Sequence, residues 1–225
     1  MGKYKLAVLD IAGTTVVDKD FVAIAFVEAF QNYGIDLSIE EINPLMGFKK
    51  TEAIAKVLNS KSIVVDDIKV NYLHNEFITH MIKFYTNSSQ VKPIKYAEEF
   101  FVYLKSKDIV VALDSGFPKV IVEIILDRMQ WVEKGMVDLY IASDEVPKGR
   151  PFPFMIETLM KKVGLSDSSQ VIKVGDTMVD IQEGRMSNCG FVAAVTTGAF
   201  SREQLQEFKP DIIVDNLFEL EHFIH

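Results

Sequence analysis

The stretch "KLAVLDIAGTT", residues 5–15, decides the fold. A short aliphatic run, Leu6 to Leu9, stops at Asp10 and is followed by Ala12, Gly13 and the two hydroxyl residues Thr14 and Thr15. An apolar run of this length, bounded by turn residues, reads as a strand buried on both faces. Such strands belong to parallel sheets, where ligands bind just beyond the carboxyl ends of the strands. Asp10 stands at such an end and is a candidate nucleophile. Chemistry of that kind also calls for an acid or base, yet the position two residues on is the inert Ala12.

The same pattern recurs along the chain. "IVVALDS" (109–115), "QVIKVGD" (170–176) and "DIIVDN" (211–216) read as buried strands ending in polar turns, with "VDLYIAS" (137–143) and "GFVAAVTT" (190–197) as further candidates. Between them "AEEFFVYLKSK", "VIVEIILDRM", "FMIETLMKKVG" and "MVDIQEGRMS" have helical length and spacing. Strand and helix alternate from about residue 91 onward, which means βαβ units and a parallel, Rossmann-like α/β sheet. Residues 16–88 break that rhythm. They read as helices only: "FVAIAFVEAFQNYG", then "SIEEINPLMG" with a capping box of Ser38 and Glu41, then "KTEAIAKVLN", then a long segment from Val65 to Tyr85. The expected organisation is an α/β core of residues 1–15 and 91–225 with an inserted all-helical cap domain of residues 16–90. Hinges are expected near Val16–Lys19 and Asn87–Lys92, the second carrying "TNSSQ".

Composition narrows the function. A chain of 225 residues that is 48% hydrophobic supports a large core, and its net charge of −8 opposes binding to phosphate backbones, so no nucleic-acid partner is expected. A single cysteine, Cys189, excludes an internal disulfide and suits a reducing cytoplasm. The apolar stretch after Lys5 is too short for a signal peptide, and no apolar run is long enough to span a bilayer. The expected partner is a small molecule. The histidines, His74, His80, His222 and His225, show no metal-ligand spacing.

The polar residues at strand ends come in a definite order: Asp10, then Ser115 in "LDSGFP", Arg150 in "KGRPFPF", and Asp176 with Asp180 in "VGDTMVD". Asp10 and Asp176 bring two carboxylates to one sheet edge, which a hard cation such as Mg²⁺ neutralises while it also binds phosphate oxygens. Ser115 and Gly116 offer a hydroxyl and backbone N–H groups for an anion, and Arg150 adds a permanent charge. "DIAGTT", "SGFP", "GRPFPF" and "KVGDTMVDIQEGR", with a helical insert after the first, resemble the haloacid dehalogenase superfamily and, within it, the phosphonoacetaldehyde hydrolase (phosphonatase) branch. Ala12 and Arg150 are both characteristic of that branch.

The resemblance implies an aspartyl-phosphate on Asp10, with Mg²⁺ held by Asp10, Asp176 and the Ala12 carbonyl and supported from behind by Asp180 and Thr177. Gly13, Thr14, Ser115, Gly116 and Arg150 would bind the phosphoryl group. It also answers the question of Ala12. A P–C bond needs a sink for carbanion electrons rather than a proton on an ester oxygen, and a lysine supplies it by forming an imine with the aldehyde. In the branch this lysine follows a Met–Gly pair; in "PLMGFKK", residues 44–50, the register selects Lys50 and not Lys49. The branch commonly has a His and a Tyr where this chain has Ala53 and Phe117, and a Trp at Ile11. The alternatives are a phosphomonoesterase of the same superfamily and a non-catalytic phosphate-binding sensor. The apolar surplus on the first cap helix is compatible with a homodimer paired through the cap.

Overall fold

A computed structural model describes residues 2–224. Six parallel strands, β1 (Leu6–Asp10), β2 (Val110–Ser115), β3 (Leu139–Ala142), β4 (Val171–Gly175), β5 (Phe191–Val195) and β6 (Ile212–Val214), form one sheet in the order β3-β2-β1-β4-β5-β6. All six coincide with the runs expected to be strands. β1 is central, with Leu9 opposite Leu113 of β2 on one side and Val174 of β4 on the other. Its side chains alternate between two cores. Ala7 and Leu9 face one, Leu6 and Val8 the other, and every residue of the strand is buried.

Nine α-helices complete the described chain: α1 (Phe21–Asn32), α2 (Ile39–Ile42), α3 (Lys50–Ser60), α4 (Asp67–Asn87), α5 (Ala97–Ser106), α6 (Lys119–Met129), α7 (Phe154–Lys162), α8 (Met178–Met186) and α9 (Arg202–Glu207). The core containing Ala7 and Leu9 joins α5 and α6 to α1, α3 and α4; the opposite core takes its helical side chains from α7, α8 and α9. No helix among the described residues is long and apolar enough to cross a membrane.

Helices α1 to α4 all lie between β1 and the crossover helix α5. Local sequence accounts for their ends. Ser38 and Glu41 form the expected capping box on α2. Asp66 accepts the Lys69 N–H at 2.8 Å, which starts α4 at Asp67 rather than Val65. Leu73, Phe77, Met81 and Tyr85, four apart, make the buried stripe of α4. The two connectors to the sheet run side by side, with Val16 paired to Pro93 and the Val17 N–H donating to Lys92 O at 3.1 Å. The expected loop "TNSSQ" is helical through Asn87, because Arg128 of α6 donates to the carbonyls of Tyr85 (2.7 Å), Thr86 (2.9 Å) and Ser88 at that helix end.

In this sheet order the connection direction reverses between β1 and β4, and the crevice opens at their carboxyl ends. Asp10 ends β1, Ser115 ends β2, and Asp176 follows β4.

Candidate active site

The turn after β1 is tightly organised. Thr15 and Val16 return their N–H groups to Ile11 O at 3.0 and 2.8 Å, and the Thr15 hydroxyl donates to Asp10 O at 2.9 Å. Gly13 takes a φ of +90°, and a Cβ there would meet Asp176 Oδ2 at 2.6 Å, so only glycine lets the turn lie against the end of β4. Thr14 donates to Asp176 Oδ1 at 2.8 Å and the Ala199 N–H donates to Oδ2 at 2.9 Å. Gly13 and Thr14 thus hold Asp176 in place. Thr177, which caps α8, donates its N–H to Asp180 Oδ2 at 3.1 Å.

Asp10, Ala12, Ser115, Gly116, Asp176 and Thr177 line a narrow cavity of about 20 Å³ together with Asp18, Met46, Gly47, Lys50 and Phe117. Sheet edge and helical insert close on each other here. A Cβ on Gly116 would meet the carbonyl oxygens of Gly47 and Phe48 at 2.6 Å. Ser115 Oγ accepts the Phe117 N–H at 3.1 Å, which leaves its proton available to a ligand.

Lys50 sits in the first turn of α3 and is only 4% exposed. Its Nζ lies 4.9 Å from the ring centre of Phe117, 5.7 Å from Phe26 and 5.9 Å from Phe77, and among the described residues it has no ion-pair partner. Burial pulls its pKa down to about 8, against the opposing pull of Asp10. Lys49 is half-buried, with its Cβ side against Gly149.

Arg150 is fully buried and is not on the cavity wall. Its guanidinium reaches Asp10 (2.6 Å), Asp114 (2.6 Å), Asp180 (2.8 Å) and Glu183 (3.2 Å). Lys173, also fully buried, meets Asp114 (2.7 Å), Glu183 (2.9 Å) and Asp180 (3.3 Å). Burial opposes ionisation of Asp114, but Arg150 and Lys173 outweigh it and hold that carboxyl far below the usual range. For Asp10 burial wins over Arg150, with Asp180 adding repulsion, and the pKa rises to about 6. Asp176 lies well above its ordinary value because it is buried and faces Asp10 and Asp180.

Sequence reasoning did not anticipate Asp114, Lys173, Glu183, Asp18 or the ring of Phe26, Phe77 and Phe117 around Lys50. A signal was present for two of them. Asp114 in "VVALDS" and Lys173 in "QVIKVGD" are charges inside strands that are otherwise apolar, and buried charges occur in pairs.

The described residues contain one group of three carboxylates whose oxygens lie within 4.8 Å, formed by Asp10, Asp114 and Asp180. Arg150 and Lys173 already neutralise that group. On the cavity side the position differs, because Asp176 is a buried carboxylate facing Asp10 with no cation paired to it among the described residues. Two buried carboxylates beside the Ala12 backbone are a donor set that fits a hard divalent cation.

A haloacid dehalogenase-like hydrolase family profile matches residues 7–194, and the chain belongs to that family. It is 28% identical over 216 residues to the phosphonoacetaldehyde hydrolase of Bordetella pertussis, covering 89% of this chain and 76% of that protein. Among solved structures it is similar to a phosphonoacetaldehyde hydrolase like protein from Oleispira antarctica (TM-score 0.82, 22% identity, 99% of this chain and 91% of the other). It is similar in fold also to a predicted phosphoglycolate phosphatase from Haemophilus somnus (TM-score 0.80, 19% identity, 99% of both chains). The protein is therefore a hydrolase with the fold and family expected from its sequence.

Proposed function

We propose that this hydrolase cleaves the P–C bond of phosphonoacetaldehyde by forming an imine at Lys50 and passing the phosphoryl group to Asp10. The observation that carries this reading is Lys50 itself: a buried lysine without an ion-pair partner among the described residues, lining the same cavity as Asp10, with its pKa near 8. A lysine condenses with an aldehyde only as the neutral amine, and with a pKa near 8 roughly a tenth of it is neutral at pH 7. The relatives named phosphonoacetaldehyde hydrolase support the same substrate class.

In this scheme Lys50 binds the aldehyde carbon, and Asp10 attacks phosphorus from the opposite side of the cavity. The P–C electron pair moves into the protonated imine, so no acid is needed at position 12. Ser115 and Gly116 are the phosphoryl contacts on the wall. Gly13, Thr14 and Arg150 complete the phosphoryl site from behind it, the first two through Asp176 and the third through Asp10. Asp10, Asp176 and the Ala12 carbonyl, with Thr177 and Asp180 behind them, would hold Mg²⁺, whose positive charge would offset that of the carboxylates and the phosphoryl group. Residues 16–90 act as a cap that opens for the substrate and closes on the core of residues 1–15 and 91–225. A cytoplasmic enzyme with a small-molecule partner accords with the free, buried Cys189 and the net charge, and the cap is the candidate face for a homodimer.

One observation favours a phosphomonoesterase instead. Ala53 and Phe117 are fully buried apolar residues where the branch commonly has groups that move protons. Phosphate release measured on phosphonoacetaldehyde beside a panel of phosphomonoesters, with Mg²⁺ and with excess chelator, separates the two. The expected result is Mg²⁺-dependent release fastest from phosphonoacetaldehyde; faster release from a phosphomonoester would replace this reading.

A further inference from the structure

Three carboxylates line the cavity, and only two of them have been given work. Asp10 and Asp176 are the nucleophile and the cation ligands; the third is Asp18, on the connector between β1 and α1. Its Oδ1 accepts the Val22 N–H at 3.2 Å in the first turn of α1, which fixes the side chain at the cavity rim. Among the described residues neither Asp18 nor Lys50 is in an ion pair, although both line the cavity and each carries a charge felt by the other. Beside them stands a second unexplained group. Among the described residues the buried Tyr85 hydroxyl has no hydrogen-bond partner, its ring packs edge-on to Phe117 at 5.8 Å, and Asp18 and Asp10 add to burial in opposing its ionisation. A buried hydroxyl of this kind calls for a polar partner, which the described residues do not provide.

We propose that Asp18 is the acid–base residue of the cavity, exchanging protons with the oxygen atoms that leave and enter at the carbon bound to Lys50. This rests on the imine reading above. The neutral Nζ adds to the aldehyde carbon, forming the N–C bond and breaking the carbonyl π bond. One proton from nitrogen and one from the Asp18 carboxyl group reach the oxygen, which departs as water and leaves an iminium. Cleavage sends the P–C electron pair into the iminium to give an enamine, while the phosphoryl group bonds to Asp10. The enamine carbon takes its proton from the water that splits the aspartyl-phosphate. A second water then adds to the iminium carbon, giving its proton to the Asp18 carboxylate, and collapse releases acetaldehyde and the free amine. Asp18 returns to its starting state, and no other co-reactant is required.

The test uses two variants that still cap α1, Asp18→Asn and Asp18→Ser, since both residue types accept a helix N-terminal N–H. Turnover of phosphonoacetaldehyde and the rate of borohydride-dependent inactivation in its presence are both expected to fall at least 100-fold, in the range of general acid–base catalysis. Melting temperatures should stay close to that of the parent, and added formate should restore part of the turnover of Asp18→Ser by supplying the missing carboxyl group. Variants within threefold of the parent would overturn the assignment. So would lost turnover with an unchanged trapping rate, because proton transfer at the imine carbon is then not the affected step. A parent that releases no phosphate from phosphonoacetaldehyde overturns the imine reading and this assignment together, whereas an active parent with unimpaired variants overturns Asp18 alone.

Discussion

Lys50 occupies a site where an uncharged side chain of similar length would be the more stable choice. Its folded pKa of about 8 lies below the ordinary 10.5, so the protonated side chain opposes folding. The opposition is complete below pH 8 and disappears as pH rises towards 10.5, where the unfolded chain also loses the proton. The difference corresponds to roughly 3 kcal/mol. Lys50→Met should therefore raise the melting temperature at pH 7 by several degrees, with the gain shrinking between pH 8 and 10, and should abolish turnover; thermal melts across that range check it. In the parent, kcat/KM should increase as pH rises towards 8, because the neutral amine is the reactive form. Lys173 presents the opposite case. It is fully buried but surrounded by Asp114, Glu183 and Asp180, so Lys173→Met leaves carboxylates unpaired and should cost about 3–5 kcal/mol in urea unfolding, with part recovered by adding Asp114→Asn. Asp10 and Asp176 were legible as polar residues at strand ends, whereas Lys50 was singled out only by the resemblance of "PLMGFKK" to the phosphonatase branch. The partners of Arg150 were not legible, since Asp10 and Asp114 meet it across 140 and 36 residues of chain, and only folding brings them together.

At the level of elements, every strand and the long helices follow from local pattern, because a strand buried on both faces and a helix with one apolar stripe each leave a periodic trace. Boundaries depend on single contacts. Asp66 shifts the start of α4, and Arg128 extends its end by holding three carbonyls that the helix leaves unpaired. Helix α9 escaped sequence reading since it has six residues and buries only Leu205. The Arg128 clasp makes the second connector firmer than "TNSSQ" suggests. Arg128→Ala should lower stability by about 1 kcal/mol, as expected for charge-assisted bonds from an exposed side chain, and should speed amide exchange across residues 86–92. Exchange there at the parent rate would show that the clasp does not restrain the connector.

For the whole molecule, the sheet order brings β1, β2 and β4 side by side and so gathers Asp10, Ser115 and Asp176 at one edge, while α3 delivers Lys50 from the other side. The inventory of strands was readable in advance; their lateral order is a tertiary property with no local signal. The two carboxylates on the sheet side should fail differently. Asp10→Asn removes both the proposed nucleophile and a proposed anionic ligand and should abolish phosphate release at any Mg²⁺ concentration, whereas Asp176→Asn should recover in part at high Mg²⁺. The central claim is that Lys50 forms an imine, and its most direct measurement is borohydride trapping. Borohydride added with phosphonoacetaldehyde should inactivate the parent and leave a reduced adduct on the peptide containing Lys50, with neither adduct nor turnover in Lys50→Arg. An adduct confined to Lys49, or phosphonoacetaldehyde cleavage that persists in Lys50→Arg, would contradict the account.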